Sequence, residues 1–504
     1  MKNIHNFRVF LDFYCKKNNN NIYYLSEDSG KEITYSQLLK VLKNFSFLLK
    51  KNNIKKNQKI LVLLDNSLEL LIIFLSILYN NRVFIPINPN SGKNEINYII
   101  KKTKPSFIIT SPNFKSKINN LKKTNNLIIN KNNFLKILFS NKIRNNLGKT
   151  GKNINNIAQI LFTSGSTGNP KGVVLTHSSM IANLFDIHNQ LSIKDYRPRF
   201  LSVTPIYHNN GQFIPTLLPF ILNGSTFTIS PETSLLNFWP TCLKFKINFS
   251  SVMATHINYF NSQKKIKTHQ IKTLFCGGAK LDKDSQIKFE KKFNTKILCN
   301  YGLTETSSIA STETLHDKKY YYGSVGKALK GNKIVIKNKI GKYGEIWIKG
   351  RNIFQNYYGD KTLTNYIKKN NWFKSGDLGY FNKNKYLFIK DRLDNMIIVS
   401  GENIYPTEIE RYTNNLKGVE LGIVSSIPDK ITQNKLIFIY EGKKKIDYQK
   451  FYNNLKYKIS RFKIPKIILN VNELELKEIP KAPNKKILRK KIKILLKAKL
   501  FKGR

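Results

Sequence analysis

Leu161-Phe162-Thr163-Ser164-Gly165-Ser166-Thr167-Gly168-Asn169-Pro170-Lys171-Gly172 is the stretch on which the reading of this chain turns. An apolar run, Ile157 to Phe162, leads into it. A helical pattern follows, with Met180, Ile181, Leu184, Phe185 and His188 on one face. The spacing predicts a strand, a loop and a helix. Glycines such as Gly165 and Gly168 let backbone N–H groups approach an anion, the hydroxyls of Thr163, Ser164, Ser166 and Thr167 donate, and Lys171 adds positive charge. The stretch is therefore a candidate phosphate cradle, although a Ser/Gly/Pro surface turn would have the same composition. It is not a Walker A loop, because the G-x-x-x-x-G-K-[ST] register fails.

Working outward, short apolar runs alternate with helical patterns. Lys59–Leu64 reads as a buried strand, Leu68–Tyr79 as a buried helix, and Val83–Ile87 and Phe107–Thr110 as further strands. Such alternation predicts an α/β sheet with helices on its faces. The polar stretch Asn141 to Asn156 reads as an exposed connection. From about Tyr322 to Tyr386 short β-type segments, Lys333–Ile336 and Glu345–Lys349 among them, suggest a small barrel or sheet. After Asp394 comes an α+β pattern: a helix from near Thr407, strands near Leu421–Ser425 and Leu436–Tyr440, and a basic tail. The expected boundary lies near Asp391–Asp394.

Length and composition bound these readings. A chain of 504 residues with 41% hydrophobic and 12% aromatic residues suits two or three domains around large cores. Its 86 basic and 31 acidic residues give a net charge of +55, a balance that points to nucleic acid or an anionic surface. Only 11 of the basic residues are Arg, however, and Lys, Asn, Ile, Phe and Tyr abound, as A/T-rich codons would produce. Arg is the usual reader of phosphates and bases, so no specific nucleic-acid partner is expected. Four scattered cysteines without metal-ligand spacing argue for a reducing compartment and against structural zinc. No signal peptide or spanning segment is evident, so a cytoplasmic protein is expected.

The phosphate-cradle stretch resembles the signature of the ANL superfamily of adenylate-forming enzymes, which includes acyl- and aryl-CoA synthetases. The likeness continues collinearly over nearly all of the chain. Leu78 to Pro89 resembles an early packing motif, Gly277-Gly278-Ala279-Lys280 the adenine-side loop, and Asn300-Tyr301-Gly302-Leu303-Thr304-Glu305-Thr306 the second nucleotide motif. Trp372-Phe373-Lys374-Ser375-Gly376-Asp377-Leu378 resembles the ribose motif. Asp391-Arg392-Leu393-Asp394 and the stretch from Gly401 to Glu410 resemble the hinge and the opening of the C-terminal domain. The resemblance implies an α/β fold: residues 1–393 as an N-terminal AMP-binding domain of two α/β subdomains plus a small β-barrel, and residues 394–504 as a smaller, mobile α+β domain.

The implied chemistry joins two anions, a carboxylate and the α-phosphate of ATP, so charge must be neutralised and the partners held in line. By resemblance, Thr163 to Gly168, Lys171, Gly278, Ala279, Tyr301, Asp377 and Arg392 bind the nucleotide, with Tyr301 facing adenine and Asp377 the ribose hydroxyls. Thr304 contacts phosphate, and Glu305 helps to hold Mg²⁺, a hard cation suited to oxygen ligands. Near the C-terminus, Pro480-Lys481-Ala482-Pro483-Asn484-Lys485-Lys486-Ile487 resembles the catalytic-lysine loop, which makes Lys486 the catalytic lysine. Lys485 replaces the family's usual glycine and is an alternative for the role. Asp394 falls at the pivot between half-reactions, and the Gly401 loop would line a thiol channel.

Thr204-Pro205-Ile206-Tyr207-His208-Asn209-Asn210-Gly211 resembles the motif carrying a pocket aromatic, which implicates His208, with Cys276, in the acyl pocket. No Asp lies within Phe200–Phe220 to pair a substrate ammonium, so α-amino acids are disfavoured. The expected activity is ATP-dependent activation of a fatty or aryl acid and its transfer to coenzyme A, by a monomer or homodimer. Two alternatives stay open: loading of a phosphopantetheinyl carrier protein, and a non-catalytic, polyanion-binding relative.

Overall fold

A computed structural model describes residues 4–25, 32–119, 125–129, 134–135, 138–139, 156–163, 170–195, 197–228, 235–266, 269–317, 320–399, 402–429, 433–456, 458–459, 463–482 and 486–501. Contacts divide the chain into two compact units. One comprises Met1–Val335, Trp347–Ser375 and Phe381–Phe388; the other comprises Ile336–Ile346, Gly376–Tyr380 and Ile389–Arg504.

The first unit contains two large sheets. In the smaller, the strands are β1 (Lys59–Leu63), β2 (Val83–Pro86), β3 (Phe107–Thr110), β4 (Ile157–Thr163) and β5 (Lys171–Thr176), with Asn126–Ile128 at one edge. Their order is Asn126–Ile128, β3, β1, β2, β4, β5. Near-continuous apolar runs in β1, β2 and β3 fit parallel strands covered on both faces. Between β1 and β2 runs α1 (Leu68–Tyr79), apolar on every side and almost wholly buried. Its N-cap Ser67 accepts the Leu70 N–H at 3.3 Å.

One expectation needs correcting. The cradle stretch leads not from strand to helix but from β4 into a second strand, β5, antiparallel to it with Thr163 opposite Lys171. β-branched Val173, Val174 and Thr176 favour extended backbone, and Gly172 lies flush on Phe162, whose ring a Cβ there would meet at 3.0 Å. Only then does α2 (His177–Leu191) begin, capped by the Thr176 hydroxyl, which accepts the Ser179 N–H at 3.1 Å. The predicted phosphate ligands Ser164, Gly165, Ser166, Thr167 and Gly168 lie outside the described residues, as does most of Asn141–Asn156.

The second sheet has nine strands. β6 (Arg199–Ser202), β7 (Phe249–Val252), β8 (Thr273–Cys276) and β9 (Lys296–Tyr301) run parallel, and β10 (Ser311–Thr312) pairs antiparallel with β9. One face carries Leu201, Val252, Leu274, Cys276, Ile297 and Cys299 into a core with Trp239, Phe260, Phe289 and Phe293. A further five-stranded sheet, with strands such as Asn332–Ile340, Tyr343–Gly350 and Trp372–Phe381, occupies the stretch read as a barrel or sheet. No pairing among the described residues closes it into a barrel, and its strands are shared between the units.

In the second unit, α3 (Pro406–Thr413) precedes the antiparallel pair β11 (Leu421–Asp429) and β12 (Gln433–Glu441), and Ile467–Asn470 extends that sheet in parallel. Pro406 suits the first helical turn, where a missing N–H costs nothing. Alternation along β11 sends Val424 into one cluster with Ile409, Phe438 and Phe451, and Ile423 into another with Ile437, Ile492 and Leu496. Ile492 and Leu496 belong to the terminal helix α4 (Arg489–Phe501). All four cysteines are buried thiols. No helix among the described residues is long and apolar enough to cross a membrane.

Candidate active site

In the first unit, two of the predicted residues meet at one that the sequence did not single out. β9 ends at Tyr301, and the chain turns sharply at Gly302, where a Cβ would lie 1.8 Å from the Ser308 carbonyl oxygen. Only glycine fits there. A single 3-10 turn, Thr304–Thr306, follows; the Thr306 hydroxyl donates to the Leu303 carbonyl and accepts the Leu303 N–H, both at 2.9 Å. This fixes Glu305, whose carbonyl accepts the Phe354 N–H at 2.8 Å and whose Oε1 accepts the Tyr357 hydroxyl at 2.7 Å.

Tyr357 is buried, on a segment bonded along β5: Tyr358 N–H donates to Gly172, Gln355 N–H to Val174, and Val174 N–H to Asn356. The Lys171 ammonium sits over the same ring, 5.7 Å from its centroid. Lys171 and Glu305 thus both meet Tyr357, one over its ring and the other at its hydroxyl, and Thr163 pairs with Lys171 at its hairpin end. No local signal marks Tyr357, because its role exists only through contacts with residues 52 and 186 positions away in sequence.

Pairing of Cys276 with Cys299 brings the Gly277–Lys280 loop beside Asn300 and Tyr301. Gly278 has φ +79°, a left-handed backbone suited to glycine, and Gly278 and Ala279 are exposed. Cys276 lies 2% exposed within the core cluster, and burial, aided by Glu313, pushes its thiol up to about 12. His208 follows β6 and packs its ring on Tyr207 at 5.0 Å. The residue as a whole is partly exposed, yet its imidazole is enclosed enough that burial lowers its pKa to about 4. It is therefore a neutral imidazole at physiological pH.

In the second unit, the Arg392 guanidinium donates to Asp377 Oδ1 at 2.8 Å, with Asp377 buried. Gly376 has φ +70°, and a Cβ there would come within 3.1 Å of Arg392 Nη2. Asp391 secures the following turn: its Oδ1 accepts the Arg392 N–H at 2.7 Å and the Asn395 amide at 3.1 Å, and its Oδ2 accepts the Thr407 hydroxyl at 2.7 Å. Asp394 is 57% exposed, with Lys490 Nζ 4.0 Å away, a weak surface pair. Lys486 is exposed at one end of a hairpin closed by the Ala482 N–H on its carbonyl, at 2.7 Å. Three residues on, Arg489 makes a two-pronged pair with Glu410, at 2.7 and 2.6 Å. Burial opposes the Arg489 charge, but Glu410 prevails and raises its pKa. Lys485 and Gly401 lie outside the described residues.

The profile of the AMP-binding enzyme family matches residues 12–358. The chain belongs to that family. Its span takes in Lys171, Glu305 and Tyr357, and it confirms the adenylate-forming superfamily read from the motifs. The chain is 27% identical over 426 residues to 4-coumarate--CoA ligase-like 9 of Arabidopsis thaliana, covering 81% of this chain and 75% of the relative. It is 26% identical over 455 residues to 2-succinylbenzoate--CoA ligase of Oceanobacillus iheyensis, covering 89% and 92%. In fold it matches the o-succinylbenzoate CoA synthetase of Bacillus subtilis, solved with ATP and magnesium ion, with a TM-score of 0.85 and 22% identity over 96% of this chain and 99% of that one.

Within this AMP-binding enzyme, Glu305 suits a hard cation. One carboxylate oxygen is oriented by Tyr357, and no partner for the other occurs among the described residues. No group of three or more His, Cys, Asp or Glu that could hold a metal ion is present among them. A lone carboxylate matches Mg²⁺ bound through nucleotide phosphates and water rather than in a protein cage.

Proposed function

We propose that this chain activates a fatty or aryl carboxylic acid with ATP and transfers the acyl group to the thiol of coenzyme A. In the first step a carboxylate oxygen bonds to the α-phosphorus as pyrophosphate leaves. In the second the sulfur bonds to the acyl carbon as AMP leaves. The observation that carries this reading is the Lys171–Tyr357–Glu305 group, which sets a cation and an oriented carboxylate on one tyrosine beside the strand that follows the cradle stretch. Family membership and CoA-ligase relatives spanning most of the chain support it.

In this reading Thr163, Lys171 and the Ser164–Gly168 loop hold the triphosphate, and Thr304 contacts phosphate. Gly278, Ala279 and Tyr301 receive adenine. Asp377 accepts both ribose hydroxyls, and Arg392 holds its carboxylate in place. Mg²⁺, when bound, neutralises phosphate charge, and Glu305 is its protein ligand. Lys486 donates to the attacking carboxylate and the α-phosphate, offsetting their repulsion. His208 contributes a neutral wall to the acyl pocket, and Asp394 is the pivot between the two half-reactions.

The test is acid-dependent exchange of labelled pyrophosphate into ATP over fatty, aryl and amino acids, followed by coenzyme A or a carrier protein as acceptor. Exchange with fatty or aryl acids, lost in Lys486→Ala, is expected. A folded chain that supports no exchange with any acid would overturn the enzymatic reading in favour of a polyanion-binding relative.

A further inference from the structure

The carboxyl ends of β6, β7, β8 and β9 form one edge of the nine-stranded sheet, the place where open α/β sheets receive ligands. Pairing fixes which side chains share a face there. Ser202, Ser251, Phe275 and Leu298 stand in one row, and the next row on that face holds Met253, Gly277 and Asn300. The opposite face carries Cys276 and Cys299 into the apolar core.

Three polar groups at this edge are buried with no hydrogen-bond partner among the described residues: Asn300 Nδ2, Ser251 Oγ and, two residues past β6, Thr204 Oγ1. Asn300 is 9% exposed, Ser251 0% and Thr204 1%. Leaving a buried donor unmatched is costly, and most native structures avoid it. Asn300 is also given its room. Its Oδ1 would lie 2.2 Å from a Cβ at Gly277, so the bare glycine is what lets the carboxamide lie there. Tyr301 is the next residue, and alternation along the strand turns the Asn300 side chain to the other face from the ring assigned to adenine.

We propose that Asn300 is a specificity-determining residue, its Nδ2 donating to an oxygen in the acyl part of the acid. The substrate class is then an acid with a second acceptor, such as a carbonyl, ether, hydroxyl or further carboxylate, rather than a plain hydrocarbon acid. This rests on the adenylation reading above. A site with an unmatched buried donor rejects a ligand that cannot engage it, whereas a wholly apolar pocket discriminates poorly.

Pyrophosphate exchange tests it, using matched acids: octanoate against oxo-octanoates, and benzoate against its hydroxy and carboxy derivatives. The native chain is expected to favour the best oxygenated member over its hydrocarbon partner by about tenfold in kcat/KM. In Asn300→Leu and Asn300→Ala that ratio falls toward unity, chiefly through KM for the oxygenated acid. Because Nδ2 has no hydrogen-bond partner among the described residues to lose, the melting temperature should fall by no more than about 2 °C. An unchanged ratio in both variants overturns the proposal, as does a KM for ATP that rises equally with every acid, which would give the amide to the nucleotide. Absence of exchange with any acid in the native chain would instead remove the adenylation reading itself.

Discussion

Replacing Tyr357 by Phe isolates the hydrogen bond that orients the Glu305 carboxylate. The substitution keeps the ring beside Lys171 and removes only the hydroxyl that donates to Glu305 Oε1 at 2.7 Å. Hydrogen bonds to charged groups contribute about 1.5–3 kcal/mol when fully desolvated. Glu305 is partly exposed, so water replaces some of that loss, and the lower end applies. Partners that orient a metal-ligating carboxylate typically change metal affinity by about 10–100-fold. The expectation is therefore about a tenfold rise in the Mg²⁺ concentration giving half-maximal pyrophosphate exchange, and partial recovery of rate at high Mg²⁺. The assay is a Mg²⁺ titration of exchange at saturating ATP and acid, run on native, Tyr357→Phe, Glu305→Gln and double-variant proteins. If the hydroxyl acts through Glu305, the two losses are not additive. Full additivity, or an unchanged Mg²⁺ midpoint in Tyr357→Phe, would refute the link between this tyrosine and the proposed metal ligand.

Asp394→Pro is expected to spare pyrophosphate exchange and to slow thioester formation; equal loss of both half-reactions would refute the pivot. Arg489→Met leaves Glu410 buried without its two-pronged partner and should cost about 3–5 kcal/mol in urea denaturation. Adding Glu410→Leu should restore most of that, and failure to do so would mean that the charge pair is not the source. Glu313 is 1% exposed, and burial, against the opposing Cys299 N–H bond, lifts its carboxyl to about 8. The folded chain thus holds a proton that the unfolded chain releases near the ordinary carboxylate value of about 4.3. Its contribution to stability falls as pH rises from there to about 8 and is level beyond. Melting temperature should decline less steeply over that window in Glu313→Gln, and parallel pH profiles would exclude Glu313 as the source.

What the sequence disclosed follows from which interactions are local. The strand at Lys59, the helix Leu68–Tyr79 and the strand Phe107–Thr110 were legible because burial on all sides leaves an unbroken apolar run. The hairpin strand Lys171–Thr176 was hidden by its neighbours: Gly168, Asn169 and Pro170 read as loop, and the strong α2 pattern absorbed the residues after it. Motif order supplied Thr304, Glu305, Asp377 and Arg392, but the Asp377–Arg392 contact emerged only in the structure. Tyr357 and Arg489 could not be found this way. Each acts through a partner far along the chain, and neither belongs to a spacing that chemistry requires. Asn300 was harder still, since its significance lies in a missing partner, which no pattern of residues displays.

The charge balance explains why some site residues are better determined than others. With 86 basic residues in the chain, a lysine at any given position carries little information, and Lys486 is identified by its place in a motif more than by being lysine. The 31 carboxylates are different. In a chain at +55 each is scarce, and a buried one must be matched by specific donors or pay in ionisation. Glu305 takes Tyr357, Asp377 takes Arg392, Asp391 takes Thr407 and Asn395, and Glu410 takes Arg489. Glu408 takes Lys390 and Lys463, whose hydrogen bonds outweigh burial and lower its pKa. These acids are the ones that the structure fixes with specific donors. Neutralising surface lysines other than Lys171 and Lys486 should therefore leave exchange activity and its acid preference intact, whereas loss of any one of Glu305, Asp377 or Glu410 should not be rescued by the lysines that surround it.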